Sequence, residues 1–193
     1  MNERTFSHLQ AHRLDAPERQ IWLPTATVLE ELDITSGMIV ADIGAGTGHF
    51  ALPLASAVGV HGKVFAIDLQ PEMLALLQAK LPDADLVNVE CRTGEATATG
   101  LEANCCDLVL LANIWHELDH VPQVLAEVKR ILRSSGRVAI LDWRPGVMQP
   151  PGPPLAHRIP AQSAAQSLAS AGFNVVKNIE IGMYSYLVLA DVD

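Results

Sequence analysis

Basic residues are scarce in this 193-residue chain, where 13 Lys and Arg stand against 22 Asp and Glu, a formal charge of −9. That balance argues against a nucleic-acid partner, because phosphate backbones are bound mainly by clustered cations. Charge of either sign is sparse as well, at 18% of residues against roughly 25% in an average soluble protein. No run of eighteen apolar residues occurs, so no membrane span is expected. The first fifteen residues mix charges with histidines and lack an apolar stretch, so no secretory signal is expected. Cysteine is limited to Cys91, Cys105 and Cys106, an odd set without C-x-x-C spacing. The three read as reduced thiols in or beside strands of a cytoplasmic protein, with a vicinal disulfide or thiol chemistry at Cys105 and Cys106 as the minor alternative.

What the chain has is apolar material, 49% of it, too much for a disordered polymer. Its length suits one domain over residues 1–193, with a helical lead over 1–34 and a proline-rich loop over 145–160 that holds six of the twelve prolines. Helical spacing covers 17–32 (bent or divided at Pro24), 50–58, 71–81, 122–132 and 161–171. Apolar runs at 38–43, 64–69, 86–91, 107–113 and 137–141 read as strands covered on both faces. Ser134-Ser-Gly136 reads as a turn, and 173–181 with 184–190 as an antiparallel hairpin across Gly182-Met183. Strands alternating with helices of this length predict βαβ units, a parallel sheet and a doubly wound α/β fold.

The strongest local signal is Val40-Ala-Asp-Ile-Gly-Ala-Gly-Thr-Gly48, a strand running into a glycine-rich turn and then a helix. Without Cβ atoms, Gly44, Gly46 and Gly48 let the backbone turn sharply and approach a ligand at the strand's carboxyl end. The spacing is G-x-G-x-G, not the G-x-G-x-x-G of nicotinamide sites. Asp42 lies two residues before the first glycine, where an anion repels pyrophosphate but suits an ammonium group. The pocket therefore looks built for a zwitterion. Asp68, twenty residues after Gly48, read alone is a cap for the helix from Pro71; paired with the glycine turn at this distance it reads as an acceptor for both hydroxyls of a ribose. Leu69 can pack on an adenine face, and Glu95 can accept its exocyclic amine, a solvated loop carboxylate being the alternative.

Together, Asp42-x-Gly-x-Gly-x-Gly48, Asp68, Gly94-Glu95-Ala96, Asp107-Leu-Val-Leu-Leu111 and Ile131-Leu-Arg-Ser-Ser-Gly136 resemble the motifs of class I S-adenosylmethionine-dependent methyltransferases. The branch most similar is the small-molecule enzymes grouped with the ubiquinone and menaquinone pathways. The resemblance implies a Rossmann-like, doubly wound seven-stranded sheet of order 3-2-1-4-5-7-6, strand 7 antiparallel. It implies S-adenosyl-L-methionine as cofactor and S-adenosyl-L-homocysteine as product. The methionine part is then expected near Asp42, Gly44, Ala45 and Gly46, and the ribose on Asp68. Adenine falls near Leu69, Glu95 and Ala96, and Asn113 lines the methionine and acceptor side. Glu95 stands where many relatives carry Asp, and Ser134-Ser-Gly136 replaces the commoner Lys-Pro-Gly.

His116-Glu-Leu-Asp-His120 is a literal H-E-x-x-H, which in zinc hydrolases needs both histidines on one uninterrupted helix. Here the pentapeptide leaves a buried strand and meets Pro122, a residue of helix starts, so no metal is expected. His116 is instead the candidate base for an acceptor hydroxyl, amine or thiol, against a loop histidine bonded to backbone. Trp115 and Trp143 are candidate walls of an acceptor pocket. Arg144 and Arg158 flank the proline loop as candidate anion ligands or solvated side chains. The predicted partner is a small-molecule acceptor. Oligomeric state is left open, a homodimer among the options. The alternative from another class is a sensor or partner subunit that binds the cofactor without transferring methyl.

Overall fold

The computed structural model describes residues 6–147 and 152–193. Seven strands form its sheet: β1 (Ile39–Ile43), β2 (Lys63–Asp68), β3 (Val89–Thr93), β4 (Cys106–Ala112), β5 (Leu132–Trp143), β6 (Phe173–Ile181) and β7 (Ser185–Val192). Six α-helices are described: α1 (Arg19–Trp22), α2 (Thr25–Glu31), α3 (Ala51–Val58), α4 (Pro71–Lys80), α5 (Val121–Ile131) and α6 (Ala161–Ser170). The strand order is β3-β2-β1-β4-β5-β7-β6. β1 to β5 pair in parallel, and β7 runs antiparallel to both β5 and β6. This is the strand order that the resemblance implies.

The apolar runs become strands buried on both faces because alternate side chains point to opposite sides. Ala41, Ile43, Val109, Leu111, Val138 and Ile140 meet Val124, Leu125 and Val128 of α5 and Leu168 of α6. Val40, Val64, Leu108, Leu110 and Leu141 meet Leu54 and Val58 of α3, Leu77 of α4, and Leu23, Val28 and Leu32 of the lead. Two cores thus clamp one sheet. Its strand order reverses between β1 and β4, and a crevice opens at their carboxyl ends, where ligands of such sheets bind.

Local departures from the expected elements have plain causes. The helix expected over 17–32 is divided, with Leu23 capping α1 and Pro24 at the N-cap of α2, since proline has no N–H to continue a helical ladder. The third strand starts later than expected, because the chain makes a further turn after α4, with Asp85 at φ 52°. Its register then sets Thr93 beside Asp68. The turn at Ser134-Ser-Gly136 is a loop-out within β5, where Cys106 pairs with Leu132 and Leu108 already pairs with Arg137. Three residues, Gly182, Met183 and Tyr184, close the hairpin between the paired Ile181 and Ser185. No described helix is long and apolar enough to cross a membrane.

Candidate active site

Every strand that ends at the crevice delivers a polar group to it. β1 leads into the glycine turn, where the amides of Gly44 and Ala45 both donate to the Ile67 carbonyl, at 2.7 and 3.0 Å. Gly44 has φ +78°, and a Cβ there would overlap the side chain of Ile114. The turn therefore needs glycine for both backbone angle and space. Gly48, at φ +93°, meets Leu77 of α4 in the same way.

β2 delivers Asp68. Its Oδ2 accepts from the Gly46 amide at 2.8 Å and its Oδ1 from the Gln70 amide at 2.9 Å. These bonds fix the carboxylate and tie the turn to β2, and a carboxylate has about four lone-pair sites, more than its amide partners fill. Burial raises the Asp68 carboxyl above the ordinary range, and the amides of Gln70, Gly46 and Leu69 act the other way.

Asp42, at the end of β1, is 1% exposed. Its Oδ2 has no hydrogen-bond partner among the described residues. Burial first and the neighbouring Asp68 second push the carboxyl up to about 7, while Arg19 opposes them. Asn113, just past β4, sits at φ 57° with both side-chain polar atoms buried and unpartnered. Buried polar groups are seldom left unpaired, and these two residues both border one cavity of about 980 Å³.

That cavity brings together Asp42, Gly44, Ala45, Gly46, Asp68, Leu69, Glu95, Ala96, Asn113 and His116. Gly48 does not border it and instead shapes the turn from behind. Leu69 is half-exposed and Glu95 exposed, with Glu95 Oε2 accepting from the Thr97 hydroxyl at 3.2 Å.

His116 belongs to a three-residue 3-10 turn, Trp115–Glu117, and is 3% exposed. Asp142, at the end of β5, grips it twice. Its Oδ2 accepts from the His116 amide at 2.9 Å, and its Oδ1 lies 2.8 Å from the imidazole Nδ1. The carboxylate is itself held by the Trp143 amide at 2.7 Å. Nε2 of His116 lies 3.8 Å from Glu117 Oε1. Burial pushes the Glu117 carboxyl up to about 7, opposed by His116 and by the Phe6 amide that it accepts. His120 is the exposed N-cap residue of α5. The two histidines of H-E-x-x-H therefore stand on different elements, not one helical face.

The other candidates separate. Trp143 borders the cavity, stacked on Trp22 with centroids 5.6 Å apart, whereas Trp115 is a buried core residue. Arg158 is buried and donates to the carbonyls of Pro153 and Arg144 at 3.0 to 3.1 Å. Arg144 pairs with Glu180 at 2.6 Å. Both arginines thus fasten chain segments together. Pro150 and Pro151, part of the expected loop, lie outside the described residues. Cys105 and Cys106 are free thiols 3.5 Å apart at the start of β4, away from the crevice.

Pattern reading missed three contributors. Asp142 carried a usable signal, an acid closing an apolar strand just as Asp42 and Asp68 do. Gln70 joins the lead to the site by donating to the Phe6 carbonyl and accepting from the His8 amide. Arg19, in the lead, borders the cavity beside Asp42, and nothing in its sequence surroundings marked it.

The residues present fit S-adenosylmethionine. A buried carboxylate with one oxygen left unpartnered among the described residues answers its ammonium, a glycine turn clears room beside its tail, and a fixed carboxylate with acceptor capacity to spare answers a ribose. Comparison with known proteins agrees. The chain is 32% identical to an S-adenosylmethionine-dependent methyltransferase of Aquifex aeolicus, over 98% of this chain and all of that one, with a TM-score of 0.93. It is 34% identical over 126 residues to an uncharacterised methyltransferase-like protein of Schizosaccharomyces pombe, covering 65% of this chain and 45% of that one. With a demethylmenaquinone methyltransferase of Lactococcus lactis it shares 28% over 125 residues, 65% and 49% of the two chains. The chain thus spans about half the length of these two sequence relatives. The family model described as "Methyltransferase domain" matches residues 41–140, just over half of the sequence, and with this fold and turn the chain belongs to the class I S-adenosylmethionine-dependent methyltransferases.

Proposed function

We propose that this chain transfers the methyl group of S-adenosylmethionine to a small-molecule acceptor, with His116 as general base and Asp142 as its positioning residue. The observation that carries this reading is the 2.8 Å contact of His116 Nδ1 with Asp142 Oδ1 at the wall of the cavity that also holds the glycine turn. A carboxylate on Nδ1 fixes the tautomer with its proton there, which makes Nε2 the basic nitrogen.

When bound, the cofactor supplies an already activated methyl group on a sulfonium. Asp42 faces its ammonium, the turn from Gly44 through Ala45 to Gly46 borders its tail, and Gly48 holds that turn against α4. Asp68 takes the ribose hydroxyls, while Leu69, Glu95 and Ala96 border the adenine. Asn113 would line the methionine and acceptor side. His116 Nε2 would take the proton of the acceptor's heteroatom, and the bound cofactor would supply the methyl group that this atom receives. Trp143, Ile114 and Leu118 line the apolar side of the same cavity and exclude water. Holding the two reactants in line contributes several kcal/mol, about the scale seen for oriented intramolecular reactions.

We place this activity in the cytoplasm, as for a small-molecule enzyme. Calorimetric titration with S-adenosylmethionine and S-adenosylhomocysteine, with NADH as control, tests the cofactor site. Micromolar binding of the first two and none of the third is expected, followed by an acceptor screen with His116→Ala as blank. Absence of binding by folded protein overturns the reading.

A further inference from the structure

The cavity holds a second buried charge, and it comes from outside the matched domain. Arg19 of α1 is 8% exposed and borders the cavity at its Asp42 end. Among the described residues its guanidinium makes one hydrogen bond, Nη1 to the Leu14 carbonyl at 3.2 Å. Five N–H groups are available on a guanidinium, so most of its donor capacity is unused among the described residues, and the carboxylates that act on its charge are Asp15 first and Asp42 second. Asp42 in the same place has an unpartnered Oδ2. Buried charges are expensive unless paired and fully hydrogen-bonded.

Arg13 and His49, which also border this cavity, are held differently. Arg13 is exposed and donates to Gln10 at 2.8 Å. His49 is spoken for by the Leu23 carbonyl, and burial pushes it down to about 4. A neutral imidazole is a poor anion ligand. Arg19 is therefore the buried, permanently charged donor set available beside Asp42.

We propose that Arg19 binds the α-carboxylate of the cofactor's amino-acid tail, so that Arg19 and Asp42 together form a clamp for a zwitterion. This rests on reading the cavity as the S-adenosylmethionine site. A guanidinium offers two parallel N–H donors to a carboxylate, a geometry that lysine lacks. The ammonium and carboxylate of an α-amino acid share one carbon, so two opposite buried charges side by side match that group and no neutral nucleoside. The lead thereby completes the cofactor site, and a chain cut back to the matched domain loses half of the clamp.

Two ligands that differ only in the carboxylate give the test: S-adenosylmethionine and decarboxylated S-adenosylmethionine, titrated calorimetrically into wild type, Arg19→Gln and Arg19→Lys. Wild type is expected to prefer the carboxylate-bearing ligand by about 10- to 100-fold, the scale of hydrogen bonds to a charged group. Arg19→Gln is expected to bring that ratio close to one while binding of the decarboxylated ligand changes little, and Arg19→Lys to fall between. Equal affinity of wild type for both ligands overturns the clamp and spares the cofactor site. So does a ratio preserved in folded Arg19→Gln. No affinity of wild type for either ligand overturns the cofactor reading as well. Should Arg19→Gln fail to fold, Arg19→Lys, which keeps the charge but not the paired donors, carries the test: a wild-type ratio preserved in it overturns the clamp.

Discussion

His116 and Asp142 leave different strands, 26 residues apart, and meet with Nδ1 2.8 Å from Oδ1. The same carboxylate also receives the amides of His116 and Trp143, so neither partner is free to rotate away. In the reaction proposed above, a positioned general base contributes about 100- to 10,000-fold in rate. His116→Ala is expected to lower turnover on that scale while S-adenosylhomocysteine affinity stays within about twofold. Asp142→Asn can accept at Nδ1 only through its amide oxygen and loses the charge, so turnover should fall too, with a shifted pH profile. Unchanged turnover, or an equal loss of cofactor affinity, assigns the pair to structure.

Asp68 does two things at once. It anchors the amides of Gly46 and Gln70, and in the proposed complex it accepts from the ribose. Asp68→Ala should weaken S-adenosylhomocysteine binding by about 1–3 kcal/mol, the range for losing bonds to a charged group. It should also lower the melting temperature of the ligand-free protein, since two buried amides lose their acceptor. A melting loss without any change in affinity, measured by calorimetry on folded protein, removes the ribose role.

Much of this architecture is legible in sequence because burial on both faces demands uninterrupted apolar strands, and the chain supplies them at regular intervals. Asp42, the glycines and Asp68 are legible for a related reason. A strand that ends in an acid or runs into glycines cannot be serving only its core. The lead is not legible in this way. Its 3-10 turn, His8–Arg13, and the four residues of α1 are too short for any periodicity, and Arg19 and Phe6 reach the cavity through tertiary packing. Arg158 was misleading because charge on a proline-rich loop suggests solvent, whereas its guanidinium is absorbed by backbone carbonyls.

Cofactor affinity should depend on pH through Asp42. Its carboxyl is raised from 3.8 to about 7 in the ligand-free fold, by burial first and then Asp68, with Arg19 opposing. Between those values the folded state holds a proton that the unfolded state has released, so this group's contribution to stability falls as pH rises through the window and levels off above about 7. Binding an ammonium group favours the ionised form and acts in the opposite sense. S-adenosylhomocysteine affinity should therefore rise with pH toward about 7, up to about tenfold per unit below it, with a proton released on binding. Glu117 sits near the same value, and Asp42→Asn separates the two. Calorimetry in buffers of different ionisation enthalpy counts the proton. A pH-independent affinity in wild type between 5.5 and 7.5, taken as roughly the window these shifts define, is incompatible with the assignment.

Arg158 ties residues 152–158 back to Arg144 and Trp143. Its guanidinium stands 5.3 Å over the Trp143 ring and holds the carbonyls of Pro153 and Arg144. Gly152 packs on the same ring, where a Cβ would come within 2.8 Å. Arg158→Ala removes charge-assisted bonds worth about 1.5–3 kcal/mol when well buried, though the loop's own proline stiffness limits how far it moves. Cleavage by a nonspecific protease within residues 152–158 should become several-fold faster. The acceptor's KM should rise while S-adenosylhomocysteine affinity holds, because the cofactor's proposed contacts lie at the ends of β1 to β4 and on the lead, none of them on the segment that Arg158 holds. Protection from the protease equal to wild type, in a folded variant, would mean that the packing of Gly152 against Trp143 holds the loop without the arginine.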